Sequence, residues 1–211
     1  MRLGYNRVHR LPHGYFGWRD VHSSGEDAPE TLPQLTVGDF FPSCHLVLLS
    51  YSRDKAYLQI QHDERTISLE DIQSEYILIE LYNEYCHQCL KEVKEYKALY
   101  AMLTEDSSLH DKVKIMGIGV GSKKRQVAKF RKQQMIDFPL FADEKSGIFA
   151  CLGKPDLPTS YLVQRNPNGG RKIILVQSGH IRSRKELMEK VRSLVRGEHS
   201  AFSKQQQAAH Q

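Results

Sequence analysis

The sequence predicts an α/β sandwich, with helices on both faces of a mixed sheet, and three observations predict it. Tyr76-Ile77-Leu78-Ile79-Glu80-Leu81-Tyr82 is a nearly continuous apolar run. Such a run fits a central strand buried on both faces. From this strand onward, helix and strand signals alternate, the order expected of parallel strands joined by crossovers. Two later strand runs flank Asn166-Pro167-Asn168-Gly169-Gly170, whose Asn and Gly residues tolerate positive φ. They read as a hairpin that adds an antiparallel pair.

Taken in order, residues 1–31 form an extension rich in Gly, His, Arg and Pro, with Tyr5, Tyr15, Phe16 and Trp18 as its aromatic residues. The main domain is expected over 32–197, followed by a polar tail, 198–211. Leu46 to Leu49 and Ala56 to Ile60 read as short strands around a polar turn. After the central strand, a helix is predicted from Cys86 to about Leu103. Leu90, Val93, Tyr96, Leu99, Tyr100 and Leu103 recur at helical spacing, with Lys and Glu on the other face.

Val113 to Val120 is the next strand. Ser122 is a candidate cap for a helix reaching about Gln134, with Val127 and Phe130 buried. Phe138 to Phe141 is a short extended piece, and a short helix follows around Lys145 to Leu152. The hairpin strands are Ser160 to Val163 and Ile173 to Gln177. The last helix spans about Ser183 to Arg196, with Leu187, Met188, Val191, Leu194 and Val195 as its apolar stripe.

The 211 residues, 40% of them hydrophobic, suffice for one domain with a real core. The net charge of +5 comes from 30 Lys and Arg against 25 acids spread along the chain. The longest basic run, Lys123-Lys124-Arg125, reads as a solvated surface, which argues against nucleic-acid binding. No apolar stretch approaches the ~18 residues of a membrane span. The first residues lack the apolar core of a secretory signal. The chain is therefore expected either to stay in the cytoplasm or to have lost a signal or anchor.

Cys44, Cys86, Cys89 and Cys151 are too few for a disulfide scaffold. Cys86 and Cys89 form a C-x-x-C pair between the end of the central strand and the start of a helix. At a helix N-terminus, unpaired N–H groups and the macrodipole favour an anion, here the Cys86 thiolate. Cys89, one turn further in, lies within reach of a disulfide and is more buried. Cys86 is thus the expected attacking sulfur and Cys89 the resolving one.

A zinc site is the alternative, but no second C-x-x-C exists. His9 and His13 have an H-x-x-x-H spacing, but they precede the cysteines. A plain buried pair is a further alternative.

His87, between the cysteines, either favours the thiolate as an imidazolium or is simply exposed at the helix tip; Gln88 and Tyr85 complete the surroundings. Glu80 is the odd residue in its strand. Buried, its pKa would rise and it could relay a proton to Cys89; otherwise it reaches a polar edge or makes a structural hydrogen bond. Leu157-Pro158-Thr159 precedes a strand. A cis bond there would leave backbone open beside Cys86 for an extended substrate, although X-Pro bonds are ordinarily trans.

Tyr76 to Cys89, with the proline segment, resembles the thioredoxin superfamily, and within it the TlpA-like, redoxin-type reductases. Leu35-Thr36-Val37-Gly38-Asp39-Phe40-Phe41-Pro42 resembles their opening segment, and Val113 to Phe141 their central insertion. The resemblance implies a thioredoxin-like three-layer α/β/α sandwich with an N-terminal extension and a central strand–helix insertion. It implies a cis Pro158, and a proton-handling acid at Glu80. It also implies a cofactor-free redox centre, the Cys86–Cys89 disulfide, acting on protein thiols and disulfides, often outside the cytoplasm, and rereduced by an upstream thiol donor such as a membrane thiol reductase. A monomer is expected. Tyr85 replaces the usual Trp, and Gln88 the usual Pro.

Two other readings remain. A thiol peroxidase would use Cys86, but Asn83 stands where peroxiredoxins carry Thr. A non-catalytic binding module would use residues 1–31 as its contact surface. Cys151 and Cys44 read as core residues, with a Cys44–Cys151 bridge possible.

Overall fold

The computed structural model describes residues 32–197, and in addition the backbone of two short strands, β1 (Val8–Arg10) and β2 (Phe16–Trp18), which pair antiparallel. The expected extension and tail otherwise lie outside the described residues, as does His13. Then follow β3 (Leu46–Val47), α1 (Tyr51–Leu58), β4 (Thr66–Ile67), β5 (Tyr76–Tyr82), α2 (His87–Glu105), β6 (Val113–Val120) and α3 (Lys124–Gln133). The chain continues through β7 (Leu140–Asp143), α4 (Gly147–Cys151), β8 (Thr159–Arg165), β9 (Arg171–Ser178) and α5 (Arg184–Val195).

Five strands form one sheet in the order β7-β6-β5-β8-β9. The first three run parallel, while β8 and β9 are antiparallel to their neighbours. All seven residues of β5 are buried, as its apolar run predicts. Tyr76, Leu78 and Tyr82 join a core with α2, α3 and α5. Ile77, Ile79 and Leu81 join a second core on the opposite face, which includes Leu58 of α1 and packs against Ile148 of α4. Helices thus cover both faces of the mixed sheet, a thioredoxin-like α/β fold.

The α2 face of the sheet needs space for Tyr82, whose ring stacks on Phe130 at 5.2 Å. Gly117 and Gly119 of β6 provide it. A Cβ on Gly119 would lie 3.1 Å from the Tyr82 hydroxyl.

The structure corrects several local expectations. Ala56 to Leu58 ends helix α1 and is no strand; Gln59 closes the helix in a left-handed conformation. Its apolar residues are few, but Asp54 accepts from the Ser50 amide and is paired at 2.7 Å with Arg131 of α3, both side chains buried. The helix is held by a charge pair 77 residues apart in sequence, which periodicity does not register.

Ser122 does not cap α3: its hydroxyl donates to Glu84, and Lys123 is the N-cap, its amide bonded to Gln126 Oε1 at 2.9 Å. The strand placed at Phe138 begins at Leu140, because Pro139 has no N–H for the ladder. Its carbonyl accepts from Gly117 N. The helix placed at Lys145 begins at Gly147.

Strand β9 starts two residues early, at Arg171. That guanidinium is buried and donates to the carbonyls of Leu69, Ile72, Ser74 and Glu75. Burial lowers its pKa to about 10.

In α2, Leu90 is 41% exposed although the apolar spacing placed it inside. The buried row is Cys89, Glu92, Tyr96, Leu99 and Leu103. Glu92, assigned by residue type to the solvated face, is fully buried.

Candidate active site

The site forms where β5 runs out of ladder. Asn83 shapes the turn: its side-chain amide donates to Val120 O of β6 at 2.8 Å, and its Oδ1 accepts from Tyr85 N at 2.9 Å. Its carbonyl accepts from Cys86 N. Cys86 therefore becomes the N-cap of α2, with extended backbone. Its sulfur accepts from the Cys89 amide at 3.2 Å, one of the orphan donors of the first helical turn. The thiol also faces Leu157 O at 3.9 Å.

The Leu157–Pro158 peptide is cis. Pro158 O is occupied by the Gly179 amide at 2.8 Å, so the carbonyl turned toward the sulfur is that of Leu157. Thr159 begins β8 opposite Leu81, and its hydroxyl is bonded to Asp156 O. The strand pair β5–β8 thus brings together two segments 71 residues apart in sequence.

Cys86 is half-buried and Cys89 is buried, both as free thiols. Burial pushes the Cys89 thiol up to about 12, with its contact to Cys86 and the nearby Glu80 adding to the shift. Glu80 lies in β5 opposite Ser160 of β8, on the face covered by α2. Its carboxyl is buried, and burial raises its pKa well above the usual range; Glu92 raises it further. Tyr96 bonds to Ser160 beside this pair, and its pKa is raised by burial first and by Glu80 second.

The sequence reading missed Glu92. Its Oε1 is bonded to His180 Nδ1 and accepts from Ile181 N at 3.1 Å. Its Oε2 is buried with no hydrogen-bond partner among the described residues. A signal existed: Glu92 falls at the 3–4 spacing of Cys89, Tyr96, Leu99 and Leu103. His180 carried none, because it lies 88 residues away in a loop.

His87 and Gln88 are exposed at the helix tip. Tyr85 is 77% exposed, with its hydroxyl accepting from Gln126 of α3. Cys44 and Cys151 are buried free thiols, unbridged in this structure. Burial raises the pKa of both. Among the described residues, no three His, Cys, Asp or Glu side chains are grouped to hold a metal ion. None of the described helices is long and apolar enough to cross a membrane. Two open grooves, about 270 and 220 Å³, lie around Tyr100 and Thr104; neither reaches the cysteines.

Comparison with known proteins sets this arrangement in context. The chain is 24% identical over 98 residues to the thiol-disulfide oxidoreductase ResA of Geobacillus thermodenitrificans, covering 46% of this chain and 53% of that protein. It is 26% identical over 110 residues to ResA of Bacillus cereus, covering 52% and 61%. The chain thus spans little more than half the length of these curated relatives.

Among solved structures, a candidate thiol:disulfide interchange protein DsbE from Chlorobium tepidum superposes with a TM-score of 0.57 at 19% identity, over 77% of this chain and 99% of that one. AhpC of Mycobacterium bovis gives 0.55 at 18%, over 77% and 94%. At such identities the likeness is one of fold. The model of the AhpC/TSA family matches residues 37–169, from the segment before β3 through the β8–β9 turn. That match takes in the cysteine pair, the cis-proline segment and well over half of the sequence, and the chain belongs to the AhpC/TSA family.

Proposed function

We propose that the chain is a thiol–disulfide oxidoreductase that reduces or isomerises protein disulfides. The observation that carries this is the geometry of one pair. Cys86 caps α2 with its sulfur on the Cys89 amide, while Cys89 sits beneath it with its proton held by burial and Glu80 nearby. An accessible sulfur attacks, and a buried one waits.

In the forward step, the Cys86 thiolate attacks one sulfur of a substrate disulfide. The substrate S–S bond breaks, one substrate thiolate leaves, and a mixed disulfide remains. Cys89 passes its proton to the ionised form of Glu80, whose raised proton affinity suits it to accept one. The Cys89 thiolate then attacks Cys86 Sγ. The Cys86–Cys89 disulfide forms, and the second substrate thiolate is released.

Two electrons from an external thiol donor restore the dithiol, so no further cofactor enters the proposal. Leu157 O and the neighbouring Pro158 and Thr159 backbone form the ledge beside the sulfur. Tyr85, His87 and Gln88 border the approach. Work on protein thiols outside the cytoplasm, with a membrane thiol reductase as donor, fits this reading.

The test is insulin reduction by the purified chain. Cys86→Ser abolishes it, and Cys89→Ser accumulates mixed disulfides with substrate. Undiminished turnover by Cys86→Ser overturns the reading.

A thiol peroxidase is the second reading, favoured by the fold likeness to AhpC. Asn83 weighs against it, since its side chain is committed to Val120 O and Tyr85 N and offers no hydroxyl to a peroxide.

A further inference from the structure

Two apolar side chains border Cys86 in the open. Tyr85 is 77% exposed and Leu90 41% exposed. Leu90 departs from the buried row of α2, although a leucine in a helix ordinarily turns inward when the core has room for it. Tyr85 immediately precedes Cys86 and Leu90 lies one helical turn after it, while the backbone carbonyl of half-buried Leu157 faces the sulfur.

The exposed charge at this edge is predominantly positive. Lys123, Lys124 and Arg125 open α3, and the α3 start is tied to the cysteine loop through Gln126–Tyr85 and Ser122–Glu84. Lys91 is the fifth residue of α2. Arg182 follows the loop that bonds Pro158 O through Gly179 and Glu92 through His180 and Ile181.

All five cations are exposed, and none forms an ion pair among the described residues. Of the carboxylates at this edge, Glu84 is half-buried and bonded to Ser122, and Glu95 is paired with Arg184. Glu144 and Asp156 are exposed, and Lys145 adjoins Glu144. At the cysteine end, exposed cations thus outnumber exposed carboxylates.

We propose that this face selects its protein substrate: a segment whose reactive cystine has an apolar neighbour and acidic flanks. The apolar neighbour covers Tyr85 and Leu90, and the acidic flanks lie against Lys123, Lys124, Arg125, Lys91 and Arg182. Opposite charge steers the encounter and sets its rate more than its final affinity. The proposal deepens the thiol–disulfide reading above and rests on it.

The test uses the pre-reduced protein in single turnover against two peptides. Both carry the same intramolecular cystine and the same apolar neighbour; one has Asp and Glu flanks, the other Lys flanks. Hydroxyethyl disulfide, small and uncharged, is the third substrate.

The acidic peptide is expected to oxidise Cys86–Cys89 at least about tenfold faster than the basic one at low salt, with the advantage shrinking as salt rises. Lys123→Glu with Lys124→Glu narrows the ratio, and Arg182→Glu alone narrows it less. Equal rates for both peptides in the unmodified protein overturn the docking proposal and leave the dithiol chemistry standing. No reaction with either peptide or with hydroxyethyl disulfide overturns the dithiol reading itself, and the docking face with it.

Discussion

The buried carboxylate of Glu92 is bonded to the Nδ1 of His180, a side chain half open to solvent. The same oxygen takes the Ile181 amide, so one carboxylate joins α2 to the segment between β9 and α5. Gly179, one residue before His180, holds Pro158 O. The cysteine helix and the cis-proline loop are therefore braced against each other through a residue that neither contains.

Removing the His180 ring leaves Glu92 Oε1 with the Ile181 amide alone, beside an Oε2 that has no partner among the described residues. Leaving a buried polar group under-satisfied costs about 1–3 kcal/mol. His180→Ala is expected to lose that much in urea denaturation, with the slope m unchanged. A loss within a few tenths of a kcal/mol would show that the pair contributes no brace.

Glu80 gives a pH dependence with a definite sign. Its folded-state pKa is raised well above the ordinary 4.5, chiefly by burial and secondarily by Glu92. Over the interval from about 4.5 to the folded value, the native state keeps a proton that the unfolded chain releases. Stability therefore falls as pH rises through that interval; the contribution is fully present below it. Urea denaturation from pH 5 to 8 should show this decline in the unmodified protein. Glu80→Gln, which keeps the shape and cannot ionise, should flatten it. Identical pH slopes for the two proteins would place the carboxylate in contact with water and remove its role as proton acceptor.

The four thiols should alkylate unequally. Cys86 is half-buried at the helix mouth, while Cys89, Cys44 and Cys151 are buried. With Cys89 pushed up to about 12, its thiolate fraction near pH 7.5 is on the order of one in ten thousand or less. Iodoacetamide on the native reduced protein should label Cys86 first by a wide margin, with the other three reacting only after unfolding. Peptide mass spectrometry reads the order. Labelling of Cys89 at the rate of Cys86 would contradict the assignment of attacking and resolving sulfurs.

The parts of this molecule that were legible from sequence are those fixed by nearest neighbours. Strand β5 announced itself because a strand buried on both faces is apolar along nearly its whole length. The N-terminal place of Cys86 followed from the junction of that strand with a helical period. Other parts depend on partners far along the chain.

The start of helix α1 reads as a polar turn and its end, from Ala56, as a strand, because its Asp54 is buried only in the company of Arg131. Glu92 reads as solvated because charge is ordinarily a surface property, and only His180 and Ile181 reverse that. Leu90 reads as core because periodicity alone does not say where a helix leaves its sheet. In each case the missing term is a contact 70 or more residues away, or the lack of a covering element.

Arg171 is the most demanding of these distant contacts. Its guanidinium is 1% exposed and meets no carboxylate among its hydrogen-bond partners; its donors go to the carbonyls of Leu69, Ile72, Ser74 and Glu75. These carbonyls belong to the segment that leads from β4 into β5, so one side chain of β9 sets where the central strand begins. A charge buried on neutral dipoles is costly, as the lowering of its pKa by burial records. It persists because its fixed fork of donors matches four converging carbonyls, two of which, Leu69 O and Ser74 O, have no other donor among the described residues.

Arg171→Leu fills the volume but leaves Leu69 O and Ser74 O without a donor, while Ile72 O and Glu75 O keep only Arg165; Arg171→Lys keeps the charge but lacks the fork. Both are expected to lose about 3–5 kcal/mol. Backbone amide exchange should accelerate first at Tyr76, whose N–H bonds to Lys112 O at the start of the strand. If Arg171→Leu is as stable as the unmodified protein, the carbonyls have found water, and the guanidinium is a tolerated burden without a structural role.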